Sequence, residues 1–266
     1  MDLQLSQKRA LVTGGIRGIG RAIARQLALE GARVAVTSRN ASDAEKAAAE
    51  LTEECGSEVI GFAVDTADDG SVRALVAGIV GRWEGLDILV NAAAKPGTAP
   101  SVPGIAGVED DAFWEDVNVK VLGYIRMVRA AEPLLTANGW GRIINISGLA
   151  ARQTGSIIGS IRNVAVSALT KNLADELGPK GVNVTVVHPA LTRTERTASR
   201  LAQIAERDGL SVEEVERKMS AGSAIRRIVD AAEVADIVTF LASPRSGAIT
   251  GDAIACGGGS IGAIHY

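Results

Sequence analysis

Short runs of aliphatic and β-branched residues alternate with longer Ala/Leu/Glu-rich stretches whose apolar positions recur at helical spacing, and the alternation extends along nearly the whole chain. Strands are expected at Arg9 to Thr13, Arg33 to Ser38, Glu58 to Val64, Asp87 to Val90, Arg142 to Ser147 and Val182 to Val187, with helices filling the gaps. The strand segments are almost uniformly apolar. A strand with one wet face would alternate, so this uniformity predicts a parallel sheet covered on both faces by crossover helices: a single-domain, doubly wound α/β fold of about seven strands. Residues 195 to 225 break the pattern, being rich in Arg, Glu and Ser with no strand signal. They follow the sixth strand, beside the sheet edge where such folds bind ligands, and are expected to form a helical lid.

Composition narrows the function classes. At 266 residues and 47% hydrophobic content, the chain can bury a substantial core in one domain. Its net charge is -3, with Lys and Arg scattered among Asp and Glu, so no basic stripe offers itself to nucleic acid. Cys55 and Cys256 stand far apart, outside any CxxC or His-rich cluster, which reads as two reduced thiols and no metal. No run of 18 apolar residues and no leader-like segment occurs, so a soluble cytoplasmic protein without a membrane partner is expected.

The first strand leads into Thr13-Gly14-Gly15-Ile16-Arg17-Gly18-Ile19-Gly20, followed by a helix read from Arg21 to Glu30. Glycines at 14, 15, 18 and 20 permit a tight turn and close backbone approach, with Ile19 among them, and leave the helix N-terminus facing a pyrophosphate. This is the dinucleotide-binding turn of a Rossmann fold. The second strand ends in Thr37-Ser38-Arg39-Asn40, where an NAD site would place a carboxylate for the ribose hydroxyls. None is present. Arg17 and Arg39, with Ser38 beside them, suit the 2′-phosphate of NADP(H), which is preferred over NAD(H).

The turn at 13 to 20, Val64-Asp65 after the third strand, Asn91-Ala92-Ala93-Ala94 after the fourth and Ser147 after the fifth together resemble the short-chain dehydrogenase/reductase family. Pro189 to Thr194 is similar to its Pro-Gly-x-x-x-Thr turn, Ala235 to Ser243 to its penultimate helix and Ile249 to Gly258 to its last strand. The resemblance implies that Asp65 contacts adenine, Asn91 lines the cofactor, Thr192 meets the carboxamide through its backbone, and Thr194 bonds carboxamide or phosphate. It also implies a homotetramer or dimer formed through long helices near 112 to 138 and 156 to 178. Two letters depart from the pattern: Asn-Asn-Ala-Gly reads Asn-Ala-Ala-Ala, and Pro-Gly reads Pro189-Ala190.

The departure at the catalytic end is larger. The family supplies a Tyr, tuned by a Lys four residues later on the same helix face, to protonate the oxygen of a reduced carbonyl. Counting back from Val166-Ser167-Ala168-Leu169-Thr170 puts Asn163 at the Lys position and Gly159 at the Tyr position. The only tyrosines are Tyr124 and Tyr266, so no shift of register restores the pair. In the preceding long helix, aligning Phe113, Val119 and Gly123 puts Lys120 where the family has Asn, with Asn118 two residues early. Lys and Asn have therefore exchanged places. A desolvated Lys120 can serve as proton donor, base or oxyanion stabiliser beside Ser147. Tyr124, one turn after Lys120, offers either a replacement phenol or core packing, and His188 reads as structural or cofactor-adjacent.

Three readings stay open: an NADP(H)-dependent oxidoreductase working through Ser147, Lys120 and Asn163; a non-redox lyase, dehydratase or hydrolase on the same scaffold; and a non-catalytic NADP(H)-binding protein. The substrate is a small molecule, read as partly apolar from the Ala, Leu, Ile and Val of the lid.

Overall fold

The computed structural model describes residues 1–94, 104–262 and 264. The chain starts with β1 (Arg9–Thr13), α1 (Gly18–Leu29), β2 (Arg33–Ser38), α2 (Ala41–Cys55), β3 (Val59–Ala63), α3 (Asp69–Trp83) and β4 (Ile88–Asn91). It continues with α4 (Asp110–Val117), α5 (Gly123–Thr136), β5 (Gly141–Ile146), α6 (Ile157–Leu177) and β6 (Val182–Pro189). The remainder is β7 (Thr192–Arg193), α7 (Thr197–Asp208), α8 (Val212–Ser220), β8 (Val229–Asp230), α9 (Ala231–Ala242) and β9 (Ala253–Cys256). Seven strands form one parallel sheet in the order β3-β2-β1-β4-β5-β6-β9. The order reverses between β1 and β4, which opens a crevice at their C-terminal ends.

Successive side chains of a strand face opposite sides of the sheet, and β1 shows how both sides are filled. Ala10 and Val12 join Ile23 and Leu27 of α1, Leu51 of α2 and Val238 and Leu241 of α9, whereas Leu11 joins Leu75 and Ile79 of α3, Met127 of α5 and Leu177 of α6. These two cores explain the lack of alternation in the strands. The strands β1 and β2 fall where the sequence places them, and the others differ by one to four residues at an end.

Two features were not expected from the pattern. A second sheet of two strands pairs Thr192 with Val229 and Arg193 with Asp230, holding the segment after β6 against the start of α9. Between α4 and α5 the chain does not break but widens into a π-helical turn, Asn118–Leu122. The segment expected as a lid does form two helices, α7 and α8, the latter started by a capping box between Ser211 and Glu214. Its apolar residues Leu201, Ala205 and Val215 pack on one another, on Ile228 and on Leu191. They fill a satellite core of their own, so their apolarity does not report on a ligand. No helix among the described residues is long and apolar enough to cross a membrane.

At the start of the sheet, Arg9 forks onto Asp87, with Nε on Oδ2 at 2.9 Å and Nη2 on Oδ1 at 2.8 Å, while the Arg9 amide also donates to Oδ2 at 2.8 Å. Burial opposes the Asp87 charge, but these bonds outweigh it and hold its pKa below the usual carboxylate value. The contribution is complete above the unfolded-state value of about 3.9 and is lost as pH falls through the lower folded-state value. We expect Asp87→Asn to lower the unfolding free energy at pH 7 by about 2 kcal/mol in denaturant titrations, with the difference from wild type vanishing in acid.

Candidate active site

The crevice is walled by backbone that leaves no room for side chains. Gly14 and Gly18 take left-handed φ values of +66° and +56°. A Cβ on Gly20 would lie 2.3 Å from the Gly14 carbonyl oxygen, and one on Gly15 would lie 2.9 Å from that of Val12. Thr13, at the end of β1, holds the neighbouring loop: its Oγ1 accepts from the amides of Ala92 and Ala93 at 3.0 and 3.1 Å and donates to Val90. The Ala92-Ala93 backbone consequently abuts Gly14, and the small residues after Asn91 preserve this approach. The Gly14 amide donates to Thr37 Oγ1, which fixes the end of β2 beside the turn. Ser38 accepts from the Asn40 amide, and the exposed Arg17 and Arg39 have no ion-pair partner among the described residues. Across the crevice, Thr194 reaches toward Gly18 and is itself held by Thr197, while the Thr192 hydroxyl turns back to Ala190. Asp65 is exposed, and its Oδ1 accepts from the Ala67 amide.

Asn91 is wholly buried. Its Nδ2 donates to Asn145 Oδ1 at 2.9 Å, and Asn145 in turn donates to Thr170, but Asn91 Oδ1 has no partner. An orphaned buried carbonyl is costly and marks a place where a donor from elsewhere is accommodated.

The second cluster lies where β5 ends, between the π turn and α6. Lys120, 3% exposed, donates from Nζ to the Ser147 carbonyl oxygen at 3.1 Å and to Asn163 Oδ1 at 3.0 Å. Ser147 Oγ lies 3.1 Å from the Asn163 carbonyl oxygen and 3.2 Å from Asn163 Oδ1. The three residues singled out from the sequence therefore form one hydrogen-bonded group. The π turn has a direct bearing on this. Widening the helix by one residue re-aims the side chains that follow, and Lys120 is the residue it turns inward. Burial, reinforced by the nearby Arg162 cation and opposed by Asp116, brings the Lys120 ammonium down to about 7.

Tyr124 does not enter this group. Its side chain is buried and its hydroxyl donates to the Ile146 carbonyl oxygen at 2.9 Å, while burial pushes its phenol well above the ordinary value. Tyr266 lies outside the described residues. His188 is a packing residue whose Nδ1 faces the Gly148 amide and whose Nε2 meets Ser167 Oγ. Gly159, one turn before Asn163, is occupied in a different sense: Ser156 Oγ caps α6 by accepting from the Gly159 amide, and it stands 2.7 Å from where a Cβ would be. Glu195 was not singled out by sequence reasoning, yet its Oε2 accepts from the Gly18 amide at 3.1 Å. A carboxylate directly after Thr194 was the only signal available. Among the described residues, no group of three or more His, Cys, Asp or Glu is arranged to hold a metal.

The chain is similar to known proteins over nearly its whole length. A family profile described as enoyl-(acyl carrier protein) reductase matches residues 14–260. The chain belongs to the short-chain dehydrogenase/reductase family. Relatives within the family include the NADPH-dependent reductase BacG of Bacillus subtilis (strain 168), 29% identical over 98% of this chain and all of that one. The short-chain reductase protein NovJ of Streptomyces niveus is 34% identical over 97% of this chain and 96% of its own. Among solved structures, L-sorbose reductase from Gluconobacter frateurii, complexed with NADPH and L-sorbose, superposes with a TM-score of 0.91 at 28% identity, covering 99% of this chain and all of that one.

A buried lysine with a depressed pKa leaves a signature in stability. Between about pH 7 and pH 10 the unfolded chain binds the proton that folded Lys120 has released, so stability rises with pH across that window, by up to about 1.4 kcal/mol per unit. Denaturant titrations in this range should show wild type gaining on Lys120→Met as pH rises. Parallel pH dependences in the two proteins would mean that Lys120 titrates like an exposed lysine.

Proposed function

We propose that this chain is an NADP(H)-dependent oxidoreductase interconverting a carbonyl and an alcohol, a divergent family member in which Lys120 and Asn163 stand in for the Tyr-x-x-x-Lys pair. Support for the cofactor comes from two directions. The residues fit it: left-handed Gly14 and Gly18 and the crowded Gly15 and Gly20 line the turn, Asn91 Oδ1 lacks a donor, and Arg17 and Arg39 have no ion-pair partner among the described residues at the end where a 2′-phosphate would lie. The relatives agree with it, since BacG is described as NADPH-dependent and the sorbose reductase structure contains NADPH. On this reading Gly14 to Gly20 and Thr194 hold the phosphates, Ser38 with the two arginines selects the 2′-phosphate, and Asp65, Asn91 and Thr192 contact the rest of the dinucleotide. When bound, NADPH supplies a hydride.

The observation that carries the proton chemistry is the hydrogen-bond count at Lys120. An ammonium has three N–H donors, and two are engaged by Ser147 and Asn163. One remains for the oxygen of a substrate carbonyl. After that proton is given up, the neutral amine keeps two N–H groups for the same two acceptors, so both charge states are satisfied without rearrangement. A pKa near 7 suits such a group for acid work in reduction and base work in oxidation. Ser147 Oγ, already oriented by Asn163, adds a second donor for the developing alkoxide, and Asn163 positions both.

The reading includes a small-molecule substrate, a cytoplasmic location, α7 and α8 acting as a lid, and self-association. The exposed Trp114, Leu122, Ile161 and Val164 on the helices around the π turn support a dimer or tetramer that covers them.

NADPH titration by fluorescence, followed by single-turnover reduction of a carbonyl panel, tests the reading. Lys120→Met should retain NADPH binding and lose about 10²- to 10⁴-fold in reduction rate, and Ser147→Ala should lose about 10- to 100-fold. Reduction by the wild type should decline as pH rises through about 7, and oxidation should increase, because the acid is the ammonium and the base is the amine. Failure to bind NADPH would favour the non-redox reading; binding without turnover of any carbonyl would favour a cofactor-binding protein. A second titration measures selectivity: Arg39→Ala should weaken NADPH about tenfold or more and leave NADH nearly unchanged.

A further inference from the structure

Beside the Lys120 group lies an ion pair that neither the fold nor the proposed proton transfer uses. Asp116 of α4 and Arg162 of α6 meet at 2.5 Å, with side chains only 16% and 13% exposed. Both have short sequence links to the site. Asp116 precedes Lys120 by four residues on the same continuous helix, and Arg162 directly precedes Asn163, whose Oδ1 accepts a hydrogen bond from Lys120 Nζ.

The geometry of the pair is unlike that of a pair that maximises its own strength. Arg9 and Asp87 form a fork, using Nε and Nη2 on separate carboxylate oxygens. Arg162 instead places a single nitrogen, Nη1, at 2.5 and 2.6 Å from the two oxygens of Asp116, and its Nε is buried with no acceptor. A largely buried pair with an orphaned N–H gives up the bidentate advantage and adds a desolvation cost. What the arrangement achieves is placement: a fixed cation and its counter-charge are held next to an amine that lies in the interior.

We propose that Asp116 and Arg162 are positioning residues for Lys120, anchoring the α6 turn that presents Asn163 and setting the balance of charge against which the Lys120 ammonium forms. Arg162 acts against that ammonium and Asp116 in its favour, the directions in which each moves its proton affinity. Among the described residues, Arg162 and Asp116 are the charges that act on the Lys120 amine. From β5 the amine meets Ser147, and from α6 Asn163, both uncharged; Tyr124 on α5 keeps its phenol proton on Ile146. Arg126 is engaged with Thr66 and Asn118, and His188 faces Gly148 and Ser167. The inference deepens the reading of Lys120 as proton donor, and it rests on that reading only for its effect on activity.

The test is to titrate the Lys120 side chain directly by NMR of the full chain labelled at the lysine ε position, with Lys120→Met assigning the signal. Arg162→Gln should raise the midpoint by about one unit, a tenfold change in the ratio of amine to ammonium at a given pH, and Asp116→Asn should lower it. Arg162→Lys, which keeps the cation, should hold the midpoint within about 0.3 units of wild type. A purely structural pair would leave the midpoint alone or shift it alike in all variants, and either result overturns the proposal. If Asp116→Asn does not fold, the contrast between Arg162→Gln and Arg162→Lys decides the matter. The pH profile of carbonyl reduction, measured on the same variants, separates the two claims. Midpoints that move while the profile stays fixed uphold the positioning role and remove Lys120 from the chemistry. A profile that depends on Lys120 while midpoints ignore the pair upholds the chemistry and ends the positioning proposal.

Discussion

An amine in the protein interior must keep its N–H groups bonded in whichever charge state it holds, and this requirement organises the centre of the molecule. Lys120 meets it with one backbone carbonyl, from Ser147, and one side-chain amide oxygen, from Asn163. The two acceptors come from the end of β5 and from the middle of α6, so the amine ties the sheet to the helix that crosses it. A side-chain amide is the right acceptor for a group of variable charge. A carboxylate at position 163 would bind the ammonium tightly and hold it charged, whereas the neutral amide accepts equally from ammonium and amine.

The same group shows why the site lies where it does in the fold. In a parallel sheet all strands end on one side, so residues from β1, β4, β5 and β6 gather there without any long loop having to bring them. Thr13, Asn91, Ser147 and Thr192 are all at or just beyond strand ends, and the ladder of bonds from Asn91 through Asn145 to Thr170 runs beneath them as a polar floor. The floor is made of buried side chains that can each donate or accept a hydrogen bond, and it ends at Thr170, which donates to the Val166 carbonyl oxygen. The proposed hydride and proton chemistries would thus occupy adjacent parts of one rigid edge, with α7 and α8 as the separately packed element above it.

Legibility in the sequence followed the range of the interaction involved. β1 and β2 were placed correctly because burial on both faces writes an uninterrupted apolar run, a local signal. That Lys120 and Asn163 face each other could be read from register, since the fold fixes which positions of two helices meet. The short pair β7 and β8 left no trace, because two residues are too few to show a period and the pairing joins Thr192 to Val229, 37 residues further along the chain. The π turn was equally hidden: Asn118-Val119-Lys120-Val121-Leu122 has the composition of an ordinary helical turn. The lid's apolar residues were visible, but their use was not. Leu201 and Val215 turned out to serve a small core of their own, a distinction that periodicity cannot make.

Gly159 has a consequence for redesign. Ser156 Oγ fills the volume next to its Cα and completes the start of α6, so a phenol introduced at 159 would collide with the cap, and removing the cap alone would weaken the helix while gaining nothing. A tyrosine at 159 therefore needs Ser156 to move. Because Lys120 and Asn163 are bonded to each other across two helices, a lysine at 163 would need position 120 to change as well. Small local fits of this kind couple positions, so an engineered phenol would have to arrive together with changes in its neighbours.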